Sequence, residues 1–142
     1  MKSFITAMML VFTMNSSAEV VPAKNPEPII KTSFTRQEVA WMYTMKTRFW
    51  EDGTKITVFY LNTDSKVHKE FCRDVLGINP DKFDVLVASS LNSGNASYFR
   101  LAKDQTDVYD KVSLLPGAIG YLDKETIVIN GAGYVKTIKI SN

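Results

Sequence analysis

The chain has 142 residues, a formal net charge of +2, 45% hydrophobic residues and a single cysteine. That length supplies one domain with one core and leaves no room for two substantial lobes. The near-neutral charge excludes the broad positive field of a nucleic-acid binder, and the lone Cys72 excludes an internal disulfide.

Met1 and Lys2 form a minimal positive start, residues 4–14 are an apolar run, and Ser16-Ser17-Ala18 is a small-residue cleavage site. The run is too short to span a bilayer comfortably. Residues 1–18 therefore read as a signal peptide cleaved near Ala18, giving a periplasmic or secreted chain whose net charge falls to +1 with the loss of Lys2. No later stretch is long and apolar enough to cross a membrane. Residues 19–33 read as an extended connector. Glu19-Val20-Val21 has strand character, and Pro22, Pro26 and Pro28 exclude a helix.

The domain proper is expected over residues 34–142. Thr35 and Glu38 make a capping box that opens a helix through Val39, Trp41 and Tyr43. Trp50 is a packing residue over the end of the next strand, after the turn at Asp52-Gly53. Residues 55–61 are apolar on both faces, which suits a strand covered on two sides. Asn62, Thr63, Asp64 and Ser65 supply capping side chains, and Asp64 or Ser65 opens a helix over residues 66–76. Val67, Phe71 and Val75 form its stripe, widened by Cys72 and Leu76, and Gly77 with Ile78 ends it.

Asn79-Pro80 starts a further helix with Phe83, Leu86, Val87 and Leu91 on its buried face and its end near Ser90. A polar loop carrying Ser93, Gly94 and Asn95 leads to a short strand at residues 98–101. Thr106 or Asp104 caps the next helix, which bears Val108, Val112 and Leu115, and residues 118–122 form a small-residue strand. Residues 125–129 and 134–140 read as two β runs of a closing hairpin around Asn130-Gly131-Ala132-Gly133. Strands alternating with helices, followed by that pair, predict an α/β fold with a mixed sheet flanked by helices.

The segment Leu115-Pro116-Gly117-Ala118-Ile119-Gly120-Tyr121, placed after a helix, resembles the corresponding segment of phosphate-type substrate-binding proteins of ABC transporters. Residues 46–53, the strand after them, the helix from Ser65 to Phe71 and the Ser93-Gly94 pair resemble pieces of the same lobe in the same order. The resemblance covers about residues 34–122. It implies a single lobe of the periplasmic-binding-protein type II kind, usually one of two that close over an anion. In that family the loop after the central strand carries an Arg, an Asp and a Ser-Gly-Thr. With Ser65 on the Ser and Phe71 on the helix Phe, Leu61 stands at the Arg, Thr63 at the Asp, Lys66 at the Gly and Val67 at the Thr. Ser65 alone is retained.

Two function classes follow. In the first, Asn62, Thr63, Ser65 and Lys66 converge with Ser93, Gly94 and Asn95 on a small oxyanion such as phosphate, and Arg48 either approaches the same rim or lies on the surface. Capping and solvated loop explain the same residues equally well. In the second, a protein-interaction module keeps the fold and has lost the ligand. A single lobe completes such a cleft only with a protein partner or a second copy. His68 and Cys72 stand at i and i+4, but no third ligand has matching spacing, so no metal and no cofactor are expected. No Ser-His-Asp set or pair of catalytic carboxylates is present in the pattern, and no enzyme is expected.

Overall fold

A computed structural model describes residues 19–141; the expected signal peptide, residues 1–18, lies outside them. The chain forms β1 (Val20–Lys24), β2 (Ser33–Thr35), α1 (Arg36–Tyr43), β3 (Thr57–Tyr60), α2 (Lys66–Glu70), α3 (Pro80–Asn92), β4 (Phe99–Leu101), α4 (Gln105–Leu114), β5 (Ala118–Asp123), α5 (Lys124–Asn130), β6 (Lys136–Thr137) and β7 (Lys139–Ser141). Without a break, α2 runs on into a π-helical turn, Phe71–Leu76. The main sheet has the order β4-β3-β5-β1-β6, and β2 pairs with β7 apart from it. The central strand β3 is parallel to both β4 and β5, while β1 is antiparallel to β5 and β6. This is the mixed sheet flanked by helices that the alternation of patterns predicts.

Local chemistry fixes most of these elements. Thr35 Oγ1 accepts from Glu38 N at 3.1 Å, and Glu38 Oε1 accepts from Thr35 N at 3.5 Å, so the capping box is complete. Ser65, not Asp64, caps α2, and Asp104, not Thr106, caps α4. Gly77 stops the π turn at a φ of +67°, a conformation that a side chain disfavours. Pro22 sits inside β1, and its carbonyl accepts from Ile138 N at 2.9 Å. A strand residue points its N and its carbonyl the same way, so the missing donor of Pro22 faces β6. The β1–β6 ladder begins only at Ala23, opposite Thr137.

Both faces of β3 are covered: Ile56, Val58, Phe59 and Leu61 are buried. Trp50 is buried as expected, and its Nε1 donates to Gly117 O at 2.9 Å while Lys24 Nζ lies 5.3 Å above its ring. Gly120 lies in β5 because α4 approaches closely; a Cβ there would stand 2.6 Å from Val108 Cγ1.

The sequence pattern misplaces two features. Residues 125–129 belong to α5 and not to a hairpin strand. Asp123 Oδ1 accepts from Thr126 N at 2.7 Å and from Thr126 Oγ1 at 2.8 Å, and this cap overrides the β-branched preference of Ile127, Val128 and Ile129. Residues 134–140 contribute β6 and β7, which pair with β1 and β2 and not with each other. In α3 the buried face is Phe83, Val87 and Ser90, Leu91 is exposed, and the helix runs on to Asn92. Ser90 is tolerated inside because its hydroxyl donates to Val87 O at 2.6 Å.

Candidate functional site

Because β3, β4 and β5 are parallel, their C-terminal ends share one edge of the sheet. The N-termini of α2, α4 and α5 follow at that edge. This is where α/β sheets build ligand crevices. A cavity of about 430 Å³ lies there, lined by Leu61, Asn62 and Ser65 after β3, by residues 103–106 at the start of α4, and by Thr126 of α5.

Capping has already used part of its polar surface. Ser65 Oγ accepts from His68 N at 3.3 Å, and Asn62 Oδ1 accepts from Asp64 N at 3.1 Å. Asp104 Oδ1 accepts from Asp107 N at 2.8 Å. Gln105 locks α4 to α5: its Nε2 donates to Asp123 Oδ2 at 2.9 Å and its Oε1 accepts from Asp123 N at 2.6 Å. Burial works against a charge on Asp123, yet the bonds from Thr126 and Gln105 prevail and hold its carboxyl below the usual range. Among the described residues the amides of Lys66, Val67, Gln105 and Thr106 find no protein acceptor. These are the first-turn donors that an α-helix leaves unpaired.

The residues expected to form one rim are divided between two ends of the sheet. Asn62 and Ser65 line the cavity. Thr63 turns away, its Oγ1 donating to Asp84 Oδ2 at 3.0 Å. Lys66 points outward and pairs with Glu70 at 3.7 Å. Ser93, Gly94 and Asn95 precede β4, whereas residues 62–66 follow its parallel neighbour β3, so the two loops lie at opposite strand ends. The Ser93 loop spends its polar groups internally: Asn95 Nδ2 donates to Ser93 Oγ at 3.1 Å and Ser93 Oγ to Ser90 O at 3.2 Å. Arg48 also belongs to that far end, in a separate cavity of about 220 Å³ with Gly94, Asn95 and Tyr98. The expected convergence does not form.

Lys103, Gln105, Thr106 and Thr126 replace the Ser93 loop as neighbours of Ser65. One signal pointed to them: residues 98–106 repeat the strand–loop–helix order of residues 55–66, and a parallel pair places both loops at one end. A larger cavity of about 750 Å³ lies between β1, the π turn and β7. Glu19, Glu70 and Asp74 face Arg36, Lys124 and Lys139 across it, a mixed charge that selects no ion of one sign. His68 and Cys72 are both fully buried, as core residues would be. Burial pushes the Cys72 thiol up to about 12, and no cluster of metal-ligating side chains occurs among the described residues.

The lobe places its crevice at the C-terminal edge of a parallel strand set, where open α/β sheets commonly seat ligands. Solved structures share that architecture. The PstS protein of Borrelia burgdorferi superposes with a TM-score of 0.60 at 17% identity, covering 88% of this chain and 48% of its own. An ABC-type phosphate transport receptor from Vibrio cholerae gives 0.61 at 14% identity, covering 87% and 46%. A Clostridium perfringens protein, described as a phosphate ABC transporter substrate-binding protein and solved with bound phosphate, gives 0.64 at 15% identity, covering 87% and 45%. The chain thus has the fold of phosphate-type substrate-binding proteins and spans less than half the length of these three. No family model and no curated protein sequence matches it.

Proposed function

We propose that the chain is an exported, non-enzymatic solute-binding-like lobe that holds a small oxyanion, phosphate foremost, in the cavity between α2 and α4. The observation that carries this reading is a cavity lined by Asn62 and Ser65 and by Gln105 and Thr106, whose first-turn amides have no protein acceptor, with the unpaired first turn of α2 beginning directly after Ser65. Such amides and the positive ends of two helices favour an anion. Two of the three solved proteins of this fold are described as phosphate transport proteins, and one of those two carries phosphate. The cavity is open to solvent and Leu61 supplies no cation, so capture is weak in the isolated lobe and strengthens when a protein partner or a second copy closes over it. Residues 1–18 act as the signal peptide, and the binding lobe comprises residues 34–142 together with β1, which pairs with β5 in the same sheet.

The alternative reading is an interaction module without a ligand. It draws on Asp104 and Asp123, two carboxylates at the same sheet edge that repel an anion unless their caps hold them aside. Calorimetric titration of the mature chain with phosphate, sulfate and small carboxylates tests both. Binding of phosphate that Ser65→Ala weakens supports the first reading, and no heat with any of the three anions supports the second.

A further inference from the structure

Beneath the loop that carries Asn62 and Ser65 runs a buried chain of polar side chains that anion capture does not itself employ. The ring of His68 is fully buried, edge-on to Phe83 at 5.3 Å. Its Nδ1 lies 2.5 Å from the Tyr121 hydroxyl, and that hydroxyl accepts the Leu61 amide at 2.8 Å. On the far side of the ring, Nε2 faces Asp84 at 3.7 Å and Cys72 Sγ at 3.8 Å. Asp84 in turn accepts the Thr63 hydroxyl. The loop is therefore held at Leu61 through Tyr121 and at Thr63 through Asp84, and His68 joins the two holds.

Counting hydrogens fixes the direction of this chain. The Tyr121 hydroxyl has one hydrogen, and its bond from Leu61 N–H takes a lone pair. The hydrogen must go to His68 Nδ1, so the neutral ring carries its own proton on Nε2, toward the Asp84 carboxylate. The other tautomer would leave the Tyr121 hydrogen without an acceptor and aim a ring lone pair at a carboxylate, with only the weak Cys72 thiol donor, 3.8 Å away, to meet it. Protonation of the ring has the first of these consequences: Nδ1 becomes a donor, and the buried Tyr121 hydroxyl loses its acceptor.

We propose that His68 and Tyr121 are positioning residues for the 61–65 loop, that neutral His68 holds this loop in its binding shape, and that protonating His68 releases it and weakens oxyanion capture. The last clause rests on the oxyanion reading; the first two do not. Asp84 from α3, Tyr121 from β5 and Cys72 from the same helix face the ring. Asp84 is the one charged group among them and favours the imidazolium, while burial opposes it and prevails, so the ring titrates below its ordinary value.

The chain has one histidine, so nitrogen NMR of its imidazole needs no assignment. In the ligand-free protein the ring should carry its proton on Nε2 and titrate below the ordinary imidazole value. The Leu61 amide should shift with the same midpoint. In Tyr121→Phe that amide should no longer follow the ring, and His68→Gln should abolish the titration of the loop altogether. A proton on Nδ1, or a Leu61 amide that stays still while the wild-type ring titrates, overturns the proposal without any variant. Sulfate keeps its charge across this range, so its affinity should fall several-fold as the ring protonates and stay flat in His68→Gln. Flat sulfate affinity in wild type, with the loop amides moving, overturns the link to capture. Failure to bind sulfate or phosphate at any pH sinks the oxyanion reading instead, and the spectrum alone then decides for or against the brace.

Discussion

The rings of Phe71 and Tyr121 stack with their centroids 4.2 Å apart and 7° between their planes. Phe71 is the first residue of the π turn, Tyr121 lies in β5, and Tyr43 of α1 packs edge-on to Phe71 at 4.8 Å. The contact ties two helical segments to the sheet. With Phe71 fully buried, Phe71→Ala should cost about 3–5 kcal/mol, the usual range for truncating a buried aromatic. Denaturant melts check this, and a loss under about 1 kcal/mol contradicts the packing described.

Ser65→Ala tests two roles of one hydroxyl. Losing the cap on α2 should destabilise the ligand-free protein by about 0.5–2 kcal/mol. Losing a hydrogen bond to a charged group should weaken anion binding by about 1–3 kcal/mol. Thermal melting without ligand and calorimetry with phosphate read the two separately. A stability loss paired with unchanged phosphate affinity moves the anion away from Ser65.

Gly117 and Gly53 share a positive φ, +84° and +87°, but not their surroundings. A Cβ on Gly117 would meet Lys55 O at 2.3 Å and Thr54 Cγ2 at 2.9 Å, whereas one on Gly53 meets nothing within 4 Å. Gly53→Ala should thus cost about 1–2 kcal/mol for the backbone alone. Gly117→Ala should cost more than that by about 1–3 kcal/mol, because a backbone carbonyl cannot step aside. Equal melting shifts for the two variants would mean that the 115–117 turn has moved.

Stability should also depend on pH through His68. Its folded pKa is lowered, chiefly by burial and against the pull of Asp84, so the unfolded chain takes up the proton first as pH falls. The stabilising contribution is whole above the unfolded imidazole value of about 6.5. It declines as pH drops through the folded value, and flattens below it. Asp107 and Asp123 are likewise held low, by bonds from Lys103 N and Lys111 on one and from Thr126 and Gln105 on the other, although burial leads the causes at Asp123 and opposes the shift. They add a second decline at lower pH. Melts of wild type and His68→Gln across the neutral-to-acid range should differ in the first decline and agree in the second.

Local chemistry made most helices legible. Thr35 with Glu38, Ser65, and Asn79 with Pro80 each announce a start within four residues of chain. At Asp123 a single capping carboxylate outweighs four β-branched residues in a row, 126–129, whose pattern alone reads as a strand. The site was less legible because its geometry is not local. Whether Ser93 or Lys103 faces Ser65 depends on β4 running parallel to β3, and neither loop encodes that direction. The spacing of His68 and Cys72 was visible, but the partner that gives His68 its role is Tyr121, 53 positions away.

The pairing of β2 with β7 joins Ser33 to Lys139, and β1 joins Val20 to Asp123 and Lys24 to Lys136. These contacts link positions about a hundred residues apart, so they close the largest loops in the chain and come at the highest entropic cost. Non-local pairings of this kind slow folding relative to the local contacts within helices. During synthesis β1 and β2 are made long before β5, β6 and β7, and they lack these partners until residues 118–141 have emerged. Until then β1, with Val21 and Ala23 destined for the core, is an unpaired edge, and that interval is when the molecule is most exposed to aggregation.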